Sequence, residues 1–119
     1  MKKKVDEELL RVREGLERYL SGNDVMIEVK LDMIAELKYR MTDEVVHFVF
    51  CKVDGTERHA YGTRASDIIG QHELHGLKQQ EKTKSKPAFG TFSYFDIERE
   101  DWRCFRVDRL LEIRNDYTI

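Results

Sequence analysis

The sequence predicts an α+β domain that is mainly β, a small antiparallel barrel with an amphipathic helix at its N-terminal end. Three observations predict it. Apolar side chains recur at helical spacing over the first 20 residues, and two later segments read as β-hairpins. A chain of 119 residues with 40% hydrophobic content can also build one modest core, so a second domain is not expected.

Val5, Leu9, Val12, Leu16 and Tyr19 are spaced 4-3-4-3, which places them on one stripe of a helix near residues 4–20. Glu7 with Arg11 and Glu14 with Arg18 form i,i+4 pairs on its wet side, and Ser21-Gly22 supplies the stop. The stripe is expected to dock on the chain's own core, and the alternative is a homodimer or partner helix held through Leu9, Val12 and Leu16. Next, VMIEVKLD alternates Val25, Ile27, Val29 and Leu31 against polar residues, the period of a strand. Asp32 would then cap a short helix presenting Met33, Ile34, Leu37 and Met41, whereas Ile27, Leu31, Ile34 and Met41 also fit one longer helix over 25–41. Residues 1–41 thus read as an N-terminal helical extension and 42–119 as the barrel, with a long polar loop near 64–88.

In VVHFVFCKVDGTERHAYGT, Asp54-Gly55 between two β-rich runs predicts a type I′ turn. That turn puts Phe48 opposite Tyr61, Phe50 opposite His59 and Lys52 opposite Glu57 on one face, with Val49 opposite Ala60 and Cys51 opposite Arg58 on the other. The second hairpin joins TFSYFDI to WRCFRV through Glu98–Asp101. Its expected pairs are Phe92 with Val107, Tyr94 with Phe105 and Asp96 with Arg103, and on the reverse face Ile97 with Trp102, Phe95 with Cys104 and Ser93 with Arg106. Phe48, Phe50, Tyr61, Phe92, Tyr94, Phe105 and Val107 are the expected interior, and a last strand follows at Leu111–Ile113. Between the hairpins, ASDIIG suggests one helical turn and QHELHGLKQQEKTKSKP a polar connection, either a solvated or disordered loop.

Charge excludes some functions. The 21 basic and 23 acidic residues are balanced in both halves, so bulk electrostatic attraction to nucleic acid is not expected and any charged site must be local. No apolar run approaches the roughly 20 residues of a membrane span, and MKKKVDEELL has no apolar core for a secretory signal, so the chain reads as cytoplasmic. Cys51 and Cys104 are expected to be reduced core thiols.

FVFCKVDGTERHAYGT and FDIEREDWRCFRVDRLLEI, with a variable loop between them, resemble the WYL-related family of Sm-like or SH3-like small barrels found in phages and mobile elements. The resemblance covers roughly residues 42–115, and its pattern is K-x-D-G-x-x-R, then G-T, then F-D and W-R-x-F-R. It implies a barrel fold and a surface of polar, aromatic and arginine side chains that binds nucleic acid or a nucleotide-like regulator. The Trp-Tyr-Leu tripeptide of the name is absent.

On the predicted outer face, Arg106 beside Ser93 and Trp102 could hold a phosphate while the indole stacks on a base. Arg58 is a candidate second member, and Arg109, expected chiefly to bond backbone or Asp108 at the turn before the last strand, falls in the arginine-bearing segment of the family resemblance. His72 and His75, with Glu73 between them, lack an identifiable third metal ligand, and KQQEKTKSK over 78–86 reads as a solvated basic loop. No Walker-type loop, CxxC pair, HExxH or nucleophile elbow is present, so no cofactor, metal or enzymatic activity is expected. The expected function is a non-enzymatic binding module for nucleic acid or a nucleotide, and the alternative is a protein-interaction or assembly factor.

Overall fold

A computed structural model describes residues 6–76 and 88–115. Helix α1 spans Glu7–Tyr19 and begins where the Asp6 carboxylate accepts the Leu9 amide at 3.1 Å. Its stripe turns inward. Val12 and Leu16 are buried in the chain's own core and Leu9 packs against it, so these residues are not free to hold a second copy. Lys38 and Arg64 clamp the start of α1 through Asp6 and Glu8.

Helix α2 is continuous over Asp24–Met41, capped by Asn23, and no strand forms at residues 25–31. The burial pattern gives the reason. Ile27, Ile34, Leu37 and Met41 enter the core at helical spacing, while Val25 and Val29, which a strand would have buried with Ile27, face outward.

Five antiparallel strands follow: β1 Val46–Cys51, β2 Glu57–Thr63, β3 Thr91–Asp96, β4 Asp101–Arg106 and β5 Leu110–Arg114, in sheet order β4-β3-β2-β1-β5. The two edges of that order are joined directly by a 3-10 turn at Val107–Arg109. Four residue steps from Arg106 to Leu110 reach at most about 14 Å, whereas five flat strands would put their edges about 19 Å apart. The sheet must therefore curl into a barrel. Its interior is Val46, Phe48, Phe50, Ala60, Phe92, Tyr94, Phe105, Val107 and Leu110, closed by α1 and α2.

Both hairpin registers differ from expectation. In the first, Lys52 pairs with Thr56 around Val53-Asp54-Gly55, a three-residue loop in which Gly55 takes φ 89° and Asp54 accepts both the Thr56 amide and hydroxyl. The extra residue slips β2 by one, so Phe48 faces Ala60 and Phe50 faces Arg58. Tyr61 accordingly leaves the interior and stacks on His47 at 4.5 Å on the outer face. In the second, Asp96 accepts the Glu98 and Arg99 amides and starts the turn early. The register slips by two, which preserves faces but pairs Tyr94 with Arg103, Phe92 with Phe105 and Ser93 with Cys104.

Cys51 is half-buried and Cys104 exposed, because both stand on outer faces, so neither is the core thiol expected. Helix α3 runs over Ser66–Gly76, longer than one turn, with Ile69 buried. His72 of α3 lies 6.0 Å from Phe95, which explains why that outward ring is covered. The basic segment 78–86 lies outside the described residues.

Candidate anion-binding cleft

The strand period decides where each expected site residue points. Trp102, Ser93 and Arg106 do share the outer face of the β3–β4 pair. They do not form one site, because Trp102 and Arg106 are four positions apart on β4, about 13 Å. Trp102 packs edge-on against Phe95 at 5.9 Å. Arg106 instead makes two hydrogen bonds to the Asp108 carboxylate, at 2.6 and 2.9 Å, and its guanidinium lies 3.9 Å above the Tyr19 ring. The Asp108 carboxylate raises the Arg106 pKa further, and although burial opposes it, Arg106 in turn holds Asp108 below the ordinary carboxylate range. The Ser93 carbonyl accepts from Arg64 Nε at 3.0 Å.

Arg58 and Arg109 meet on the other side of the sheet. The slipped register of β2 turns Arg58 inward beside Phe50, where it donates to the fully buried Asp96 at 3.1 Å. Arg109 Nη1 donates to the Lys52 carbonyl at 3.0 Å, tying the 3-10 turn to the β1–β2 loop. Between that loop and β4 opens a cleft of about 580 Å³, lined by Lys52, Arg58, Arg103, Arg106 and Arg109 among others. Strand pairing explains the opening, because β2 bonds β3 only at Gly62–Asp96 and Thr63–Phe95 and diverges toward Arg58.

The floor of the cleft is aromatic. Phe50, Tyr94 and Phe105 line it, and Phe50 stacks on Phe105 at 5.2 Å. Burial, with Asp96 nearby, pushes the Tyr94 hydroxyl up to about 12, so it stays a neutral donor at any physiological pH. Arg103, expected to pair with Asp96, is displaced by Arg58 and meets no carboxylate among the described residues. Lys52 and Arg103 are the cleft cations that sequence reasoning missed. A three-residue first loop and an Asp96-capped second turn would have revealed them.

Among the described residues no three His, Cys, Asp or Glu side chains gather to hold a metal ion, and His72 pairs with Glu100 at 3.0 Å. No helix among them is long and apolar enough to cross a membrane.

A curled five-stranded sheet joined by a 3-10 turn, with helices over its open side, defines a small Sm-like, SH3-like barrel. The model of the WYL_2 family, described as an Sm-like SH3 beta-barrel fold, matches residues 34–111, and the chain belongs to that family. A relative in Enterobacteria phage T4, the uncharacterized 11.5 kDa protein of the Gp31-cd intergenic region, is 30% identical over 86 residues, covering 72% of this chain and 81% of the relative. No solved structure matches the chain significantly.

Proposed function

We propose that the protein is a non-enzymatic binding module of a phage or mobile element, acting in the host cytoplasm, that takes nucleic acid or a nucleotide-like ligand by its phosphates. The observation that supports it is the cleft, where Arg58, Arg103, Arg109 and Lys52 outnumber the one lining carboxylate, Asp54, in a chain whose overall charge is -2. Charge concentrated in one concavity of a near-neutral protein favours local anion capture. Arg103, Lys52 and Arg109 carry most of it, since among the described residues none of the three forms an ion pair with a carboxylate.

Titration with single-stranded oligonucleotides and with nucleotides tests the proposal. Arg103→Glu is expected to lower affinity about tenfold or more, with an unchanged circular dichroism spectrum. Equal affinity in Arg103→Glu and Arg109→Ala would reject the site. The second reading, a protein-interaction factor, draws on the exposed Val25 and Val29 of α2 and Leu111 of β5. Native mass spectrometry separates the two readings by showing a co-purified ligand or a higher oligomer.

A further inference from the structure

The geometry points to a cleft that reads phosphate charge and not bases, so that its ligand is the sugar–phosphate backbone of a single strand, bound without sequence preference. The inference rests on the reading above and sharpens it. Base recognition by small barrels uses ring faces open to solvent, on which bases stack. Among the described residues this cleft offers none. Phe50, Phe105 and Tyr94 are 9%, 4% and 1% exposed, and their faces are already occupied within the protein. Phe105 has Phe50 at 5.2 Å, Phe48 at 5.4 Å and Phe92 at 5.8 Å, and Tyr94 stands edge-on to Phe48 at 5.0 Å.

Among the described residues, the exposed aromatic side chains lie elsewhere. Trp102 is 42% exposed, but it sits on the opposite face of β4 from the neighbouring Arg103, and it lines no part of the cleft. Phe89 lies with Tyr19 on the α1 side and Tyr39 is on α2. What the cleft does offer is charge at separate points: Lys52 on the β1–β2 loop, Arg58 on β2, Arg103 on β4 and Arg109 on the 3-10 turn. Arg58 and Arg109 each have donors left over, since the first uses one nitrogen on Asp96 and the second one on the Lys52 carbonyl. Cations distributed over four elements suit a run of phosphates better than one terminal phosphate.

The test is fluorescence anisotropy with homopolymers of A, C, T and U of about 12 nucleotides, over a salt series, with inorganic polyphosphate as competitor. The four affinities are expected to agree within about threefold, and no aromatic-to-alanine substitution should cost the roughly fivefold to hundredfold that loss of a stacked base would cost. Polyphosphate should displace the strands. Arg103→Ala should flatten the log–log salt slope by about 0.7, the share of one single-strand phosphate, and Trp102→Ala should leave both slope and affinity unchanged. Discrimination beyond about tenfold between homopolymers, failure of polyphosphate to compete, or a loss in Trp102→Ala as large as in Arg103→Ala would overturn the inference while leaving a ligand in the cleft. Absence of binding to every strand and to polyphosphate would overturn it together with the proposed function.

Discussion

Gly15 lies inside α1, where helix propensity alone favours alanine by about 1 kcal/mol. Packing reverses the sign. A Cβ built there would lie 2.7 Å from the Cα of Gly90, where ordinary contact begins at 3.4 Å, so α1 or the loop must retreat by about 0.7 Å. The loop cannot yield cheaply. Gly90 holds φ +69° with its own Cβ position 2.8 Å from Tyr19, and its carbonyl accepts the Val107 amide at 2.9 Å. A helix withdrawn by that distance forfeits about a quarter of the contact energy of Val12 and Leu16, and overpacking of this kind costs roughly 2–3 kcal/mol. Less the propensity gain, Gly15→Ala should destabilise by about 1–2 kcal/mol, lowering the melting temperature by roughly 5–10 °C. Gly70 of α3 is the internal control, since no described atom lies within 4 Å of its Cβ position. There alanine should stabilise by about 0.5–1 kcal/mol. Urea unfolding followed by circular dichroism measures both. A Gly15→Ala protein as stable as the parent, or two variants shifting in the same direction, would refute the close approach of α1 and Gly90.

Two further outcomes follow from the ion pairs. Arg58→Met leaves the buried Asp96 carboxylate with only the Glu98 and Arg99 amides and should cost about 2 kcal/mol; combined with Asp96→Asn, the double-mutant cycle should show coupling of about 1–2 kcal/mol, and strictly additive losses would break the assigned pair. Hydrogen bonds from Arg64 hold Glu8 below the ordinary carboxylate range, so its contribution is fully present above the unfolded value of about 4.5 and is lost as pH falls through the lower folded value. Melting temperatures recorded from pH 6 down to about 2 should show that acid loss shrinking in Glu8→Gln, and an identical pH profile would exclude Glu8 as a source.

The barrel was legible in the sequence because alternation survives a wrong register. Phe48, Phe50, Phe92, Tyr94 and Phe105 occupy the interior as expected, since a slip of two in the second hairpin returns every side chain to its own face. The helical part was less legible. Over so short a run Val25, Ile27, Val29 and Leu31 fit a two-residue period while Ile27, Leu31, Ile34 and Met41 fit a helical one, and the Asn23 cap and the outward Val25 and Val29 decide for the helix.

The site was harder to read, because it depends on two turns whose chemistry is side-chain specific. Asp54-Gly55 fits a two-residue loop, but the Asp54 carboxylate captures Thr56 and stabilises the three-residue form. One added residue turns Arg58 from the outer face to the inner one, beside Asp96. Arg58 therefore lines the cleft, on the surface opposite to the one expected. Asp96, spent on its own turn and on Arg58, leaves Arg103 without the partner that a simple facing-pair argument assigns to it. Arg103 thus reaches the cleft unpaired because Asp96 is drawn into its own turn and onto Arg58, and a pairing argument that credits each carboxylate to the nearest strand cation will miss it.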